Sequence, residues 1–297
     1  MIICSRTQEL KPNQKLVIVP LGDIHFNAPG FDRIKWNEVI KWIHSLVLRE
    51  DRQVLVLLMG DYLDTFSASE RQGLSKAGLH ESSRARIERM LRSDMDEFIK
   101  ELYPLAKIIG GVVCGNHTYQ FQDAGSKGLV GKTVDQVIAE TLDVPFFGVC
   151  GALVLDMVAT STTRIPFKIF MHHGFGAASS KNASIKQVLD LRSKFPAFNL
   201  YVMGHNHIKI CTTQEGIDVR YRANTKQWHM AQVVQGFIRS ASFLKGYIEG
   251  EAVDGYNGSY VEEKCLTPAG LGVVTANLRW KFDNRTRPVG FVLHVQE

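Results

Sequence analysis

Five short motifs concentrate carboxylates, imidazoles and one amide: Asp23-Ile24-His25, Gly60-Asp61-Tyr62-Leu63-Asp64, Gly115-Asn116-His117, His172-His173-Gly174 and Gly204-His205-Asn206-His207. Such side chains are oxygen and nitrogen donors suited to Zn, Mn or Fe. No thiolate takes part, which argues against an iron–sulfur cluster. The donors outnumber what one tetrahedral ion needs, and one aspartate is placed to bridge. The pattern predicts a pair of divalent ions, held in two-metal hydrolases roughly 3.5–4 Å apart to activate water and stabilise a leaving oxygen.

The elements that must position these residues are legible as apolar, β-branched runs directly before each motif: Leu16-Val17-Ile18-Val19, Val54 to Met59, Ile108 to Val113, Ile169-Phe170-Met171 and Leu200-Tyr201-Val202-Met203. Buried parallel strands have this composition. Polar residues at the carboxyl ends of such strands converge on one crevice, so a single site is expected. Between the first two strands, Asp32 to Leu48 carries Ile34, Val39, Ile40, Ile43, Leu46 and Val47 near a helical period, with Asp32 as cap, which predicts a βαβ unit. Trp36 and Trp42 on it read as core or edge aromatics.

This ordered set resembles the calcineurin-like metallophosphoesterase superfamily, with its D-x-H, G-D-x-x-D, G-N-H, H and G-H-x-H motifs, from Asp23 to His207. The resemblance implies an α/β fold, a four-layer α-β-β-α sandwich of two mixed β-sheets flanked by helices. It implies a first metal on Asp23, His25, Asp61 and His207, with Asp61 bridging to a second on Asn116, His172 and His205. His117 would serve as general acid or electrophile, oriented by Asp64. Of the adjacent histidines, His172 is expected to ligate and His173 to stand behind it, near substrate. Thr118 occupies the place of the family's usual acid after Gly-Asn-His, so a substitute for that acid is expected from elsewhere. The implied reaction is hydrolysis of a phosphodiester by a hydroxide held between two divalent ions, Mn foremost, with Zn or Fe as alternatives.

Taken singly, each motif has a plainer explanation. Asp-x-His after a strand is commonly a capped turn, Gly60-Asp61 an ordinary strand exit, and His172-His173 an interior pair. Their joint order favours the metal site.

Candidate substrate contacts follow from the segments leaving the same strand ends. Thr65 to Ser83 is polar and small, and Arg84 to Leu102 is an amphipathic helix, so 65–102 reads as a helical insertion or cap offering Arg71, Lys76, His80, Arg84 or Arg86 to a phosphate. Thr118 to Lys132, with Tyr119 and Lys127, reads as a substrate loop. Gly174 to Ser179 imitates a dinucleotide loop but lacks the third glycine. Beyond Ile208 a β-rich elaboration at 208–297 is expected. In it Glu215-Gly216 turns a hairpin, and Ile217, Val219 and Tyr221 alternate along a half-buried strand. Phe237, Arg239, Phe243, Lys245 and Tyr247 interleave aromatic and basic residues, either as a nucleic-acid strip or as the completion of a second sheet.

The chain has 297 residues, 45% of them hydrophobic, enough for one large α/β domain spanning 1–297. Val144 to Leu155, the longest apolar stretch, is interrupted by Pro145, Gly148 and Gly151 and is shorter than the roughly 20 residues of a membrane helix, so no membrane contact is expected. Met1 to Gln14 lacks a secretory h-region. Five cysteines without a C-x-x-C pair argue against a disulfide framework, and a reducing cytoplasm is expected. The charge of +5 is mild and carries little weight by itself; DNA or RNA is the leading partner because basic and aromatic residues recur in the segments around the crevice. A phosphomonoesterase acting on nucleotides or phosphoproteins, and a non-catalytic binding scaffold on the same fold, are the alternatives.

Overall fold

In chain order the elements are β1 (Ile2–Glu9), β2 (Lys15–Leu21), α1 (Arg33–Val47), β3 (Arg52–Leu58), α2 (Glu81–Leu102), β4 (Ile109–Val112), α3 (Val134–Thr141), β5 (Cys150–Thr160), β6 (Thr163–His172), α4 (Lys181–Lys194), β7 (Leu200–Met203), β8 (Lys209–Arg222), β9 (Gln227–Ser240), the short α5 (Tyr260–Glu263), β10 (Thr275–Phe282) and β11 (Pro288–Gln296). They come from a computed structural model that describes residues 1–65, 78, 80–123, 125, 126, 128–160, 163–176, 180–222, 226–247, 260–263, 265, 268, 270–284 and 286–297. Arg71, Lys76, Lys127 and the 177–179 part of the glycine-rich stretch lie outside the described residues.

Side-chain alternation on the central strands decides how the layers stack. β2 turns Val17, Val19 and Leu21 to one face and Leu16 and Ile18 to the other; β3 likewise divides Val54, Val56 and Leu58 from Leu55 and Leu57. Both faces are buried, which is why these runs read as continuous apolar sequence. One mixed sheet has the order β11-β10-β2-β3-β4, with β2, β3 and β4 parallel and β10 and β11 antiparallel. The other has the order β1-β5-β6-β7-β9-β8, parallel at β1–β5, β6–β7 and β7–β9 and antiparallel at β5–β6 and β8–β9.

Three apolar clusters fill the spaces between layers. Trp36 and Ile43 of α1, Leu91, Met95 and Phe98 of α2 and Val137 and Ile138 of α3 cover the five-stranded sheet. Leu55, Leu57, Ile169, Met171, Val202 and Ile238 lie between the sheets. Val188 and Leu191 of α4 cover Phe170, Tyr201, Met203 and Phe237 on the far face. The molecule is an α-β-β-α sandwich of two mixed sheets flanked by helices.

Local chemistry agrees with these assignments. Asp32 caps α1 by accepting from the Lys35 backbone N–H at 2.9 Å. The Phe98 ring is fully buried against Phe26, Trp36 and Tyr62, and its truncation to Ala costs about 3–5 kcal/mol at such a position.

Two expectations for the β-rich region are corrected. β8 runs straight through Glu215 and Gly216 and pairs with β9 as far as Arg222 and Gln227, so the hairpin does not turn there. The Arg192 guanidinium lies 2.7 Å from where a Gly216 Cβ would stand, and a strand glycine serves such close approach. Ile217, Val219 and Tyr221 are exposed, not half-buried.

Candidate metal centre

The first, second and fifth motifs leave their strands through sharp bends. Asp23, His25, Asp61, His205 and His207 all have positive φ, between 48° and 79°. Non-glycine residues held there cost of order 1–3 kcal/mol each and persist where the surroundings over-determine them. The surroundings do so by main-chain pairing: Ile24 and His25 N–H donate to the Asp61 carbonyl at 2.8 and 3.0 Å, and Phe26 N–H to that of Tyr62. Tyr62 in turn donates its hydroxyl to the Val113 carbonyl, tying the second motif to the third. Gly115 has no room for a side chain, since a Cβ would collide with the Asp61 carboxylate and backbone.

The bends bring two donor clusters together. Asp23, His25 and His207 place ligand atoms within 4.8 Å of one another, and so do Asp61, His173 and His205. The Asn116 amide oxygen joins the second cluster, 2.8 Å from His173 Nε2 and 2.7 Å from His205 Nδ1. Each cluster draws on both sheets: Asp23 and His25 leave β2 and His207 leaves β7, while Asp61 leaves β3 and His173 and His205 leave β6 and β7. Asp23 is held by His205 N–H at 2.8 Å and by Ser242 Oγ, which donates to its carbonyl. His117 donates its backbone N–H to Asp61 Oδ1 at 2.8 Å.

Asp64 Oδ1 sits between two imidazoles, 3.2 Å from His25 Nδ1 and 3.1 Å from His117 Nδ1. Hydrogen bonds from His117 and His25 hold this carboxyl well below the usual range. An imidazole that gives its Nδ1 proton to a carboxylate keeps a lone pair on Nε2. His25 Nε2 is buried with no hydrogen-bond partner, as expected of a nitrogen awaiting a cation.

The electrostatics ask for positive charge. Asp23 and Asp61 are buried close to each other, and burial with the Asp61 charge pushes Asp23 up to about 6. Burial alone would depress His173, yet Asp61 and Asp23 raise it to about 9. Burial and neighbouring imidazoles depress His205 to about 4 and His207 to about 3, leaving both neutral and able to ligate. The donor set, the orphaned His25 nitrogen and the surplus of buried carboxylate together fit divalent cations.

Several expected residues are placed elsewhere. His172 accepts from Gly174 N–H at 2.8 Å and packs edge-on against Phe175, turned away from both clusters. His173, with its Nε2 3.2 Å from Asp61, takes the position expected of His172. Tyr119 is buried, its hydroxyl on Glu88 and its ring against Phe121, so it is a core residue and not a substrate contact. Arg84 is half-buried and Arg86 exposed on α2. Phe237, Arg239 and Phe243 are buried, which removes most of the nucleic-acid strip.

Of three supporting residues, Glu88 and Asp135 escape the sequence reading, and Arg239 enters it only as part of a nucleic-acid strip or second sheet. Arg239 donates to the carbonyls of Ser184 and Gly204 and to Gln187, bracing the fifth motif; its parity with Phe237 on β9 was the available signal. Buried Glu88 accepts from Tyr119 and Ser126 hydroxyls and from Gln122 and Asp123 N–H, fastening the loop after the third motif. Buried Asp135 lies under that motif, near Gly115 N–H at 3.5 Å and Cys114 Sγ at 3.4 Å, and takes a hydrogen bond from Thr118. Nothing in the sequence around Asp135 distinguishes it from an ordinary first-turn acid.

No family model matches the chain, and no curated protein matches it. Three solved chains match. One is the crystal structure of a conserved uncharacterized protein from Streptococcus pneumoniae TIGR4, described as a predicted phosphoesterase. It is 11% identical, with 95% of this chain and 98% of that chain covered at a TM-score of 0.30. Superposition that loose leaves function to be read from the side chains of the crevice. Among the described residues no helix is long and apolar enough to cross a membrane.

Proposed function

We propose that the chain is a metal-dependent phosphoesterase that hydrolyses phosphodiesters, with nucleic acid the first substrate class to test. The observation that carries this reading is the pair of adjoining donor clusters with an Asp64-oriented imidazole beside them. Asp23, His25, Asp61 and His207 would hold one ion, and Asp61, Asn116, His173 and His205 a second. When bound, such ions act as Lewis acids on phosphoryl oxygens and lower the pKa of water so that a nucleophile exists near neutral pH.

The remaining chemistry falls to the protein. Asp64 fixes the His117 ring through Nδ1, and with both ring nitrogens protonated Nε2 would give its proton to the departing alkoxide. The His117 backbone N–H is committed to Asp61, so the loop that carries the acid is locked to the carboxylate between the clusters. Asp135 and Thr118 support this loop from beneath.

Metal analysis of the purified protein, with bis-p-nitrophenyl phosphate set against p-nitrophenyl phosphate in added Mn, tests the proposal. Bound metal and faster diester turnover are expected. Metal without turnover of either ester would overturn the enzymatic reading, and preference for the monoester would overturn the diesterase assignment.

A further inference from the structure

The β8–β9 hairpin carries an uncovered apolar face remote in kind from the crevice. Val219 pairs with Met230 and Tyr221 with Trp228, while Ile217 stands opposite Gln232 and Val234 opposite Glu215. Directly paired residues of antiparallel strands share a face, so these side chains form one ladder. The ladder has the parity of Gly236 and Ile238, and the pairing runs without a bulge, so it continues the inner face of the sheet. At Gly236 that face is still roofed by Leu293 and Val295 of β11, the edge strand of the opposing sheet. Past it the hairpin overhangs. Ile217 is 73% exposed, Trp228 69% and Met230 75%, values foreign to a face with this composition.

We propose that this overhang is a homodimer interface whose occupant is the same hairpin face of a second copy, stacked about a twofold axis. The six apolar residues expose roughly 700 Å² per chain, so a pair buries up to about 1,400 Å², within the range of specific interfaces. An isologous contact requires a self-complementary patch, and an apolar ladder on a two-stranded ribbon can pack on its own copy as twisted sheet faces do. Each hairpin then supplies the layer that the other's sandwich lacks. Gln232 donates to Glu215 at 2.6 Å, and Glu215 stands at the end of the ladder beside Gly236, where the dimer must leave its carboxylate in water because burying that charge is costly.

Sedimentation velocity of the full chain at micromolar concentration should give twice the 33.3 kDa chain mass. Met230→Glu should return it to one chain mass with an unchanged far-UV spectrum, and Val219→Lys provides a second variant should the first fail to fold. A single-chain mass for the parent protein would overturn the proposal. So would a doubled mass that survives both substitutions, or a monomer captured through this hairpin by phosphatidylcholine–phosphatidylglycerol vesicles.

Discussion

Asp64→Asn removes one charge and keeps the shape of a side chain that serves two imidazoles at once. Asp64 Oδ1 accepts from His25 and His117 at 3.2 and 3.1 Å. A hydrogen bond to an ionised acceptor is worth about 1.5–3 kcal/mol, and one to a neutral amide oxygen about 0.5–1.5. The Asp64 side chain is 39% exposed, so water recovers part of the difference, leaving a loss of about 1 kcal/mol on each imidazole. One loss falls on His25 and metal affinity, the other on His117 and turnover, about fivefold each. Mn titration by calorimetry reads the first, and kcat on bis-p-nitrophenyl phosphate at saturating Mn reads the second. If both quantities were unchanged, the carboxylate would not orient either ring. A kcat loss beyond about 100-fold would place Asp64 in contact with the reacting atoms instead of behind His117.

Five further substitutions separate the roles. His117→Asn should lower turnover about 100-fold or more with metal content retained, checked by parallel kinetics and metal analysis. His173→Gln should lower metal content, whereas His172→Gln should leave it unchanged in the same measurement. Asp135 is raised from 3.8 to about 6 chiefly by burial. The stabilisation from its neutral form is therefore full below pH 3.8 and lost as pH rises through about 6. Asp135→Asn should abolish that slope in urea denaturation and gain up to about 3 kcal/mol at pH 8 relative to the parent. Arg239→Met leaves the Ser184 and Gly204 carbonyls without their donor and should cost about 3 kcal/mol in the same assay.

Much of the crevice was legible because each motif follows a strand whose two buried faces leave it almost uniformly apolar. That uniformity is also why His172 and His173 could not be told apart. Ile169-Phe170-Met171 is apolar at every position, so its alternation points to neither face in the sequence. In the fold, Met171 faces the other sheet and Phe170 faces α4, and His173 inherits the inward direction of Met171. The misplaced hairpin turn has a different origin. Glu215-Gly216 has turn composition, but the glycine accommodates Arg192 and the strand continues. Phe237, Arg239 and Phe243 carry a pattern that stacking and phosphate contact would also use, and only burial distinguishes a brace from a binding strip. The partners of Asp135 and Glu88 lie across loops and helices, where local periodicity carries no information.

That each donor cluster takes ligands from both sheets has a mechanical consequence. A cation in either cluster is a cross-link between two layers otherwise joined at that end by apolar contact and a few hydrogen bonds. Residues as distant in the chain as Asp23 and His207 meet there, so neither half of the chain alone presents a complete set of donors. Metal affinity and the alignment of the sheets are then two readings of one equilibrium, and a chelator would loosen the seam by the free energy with which the ions had closed it.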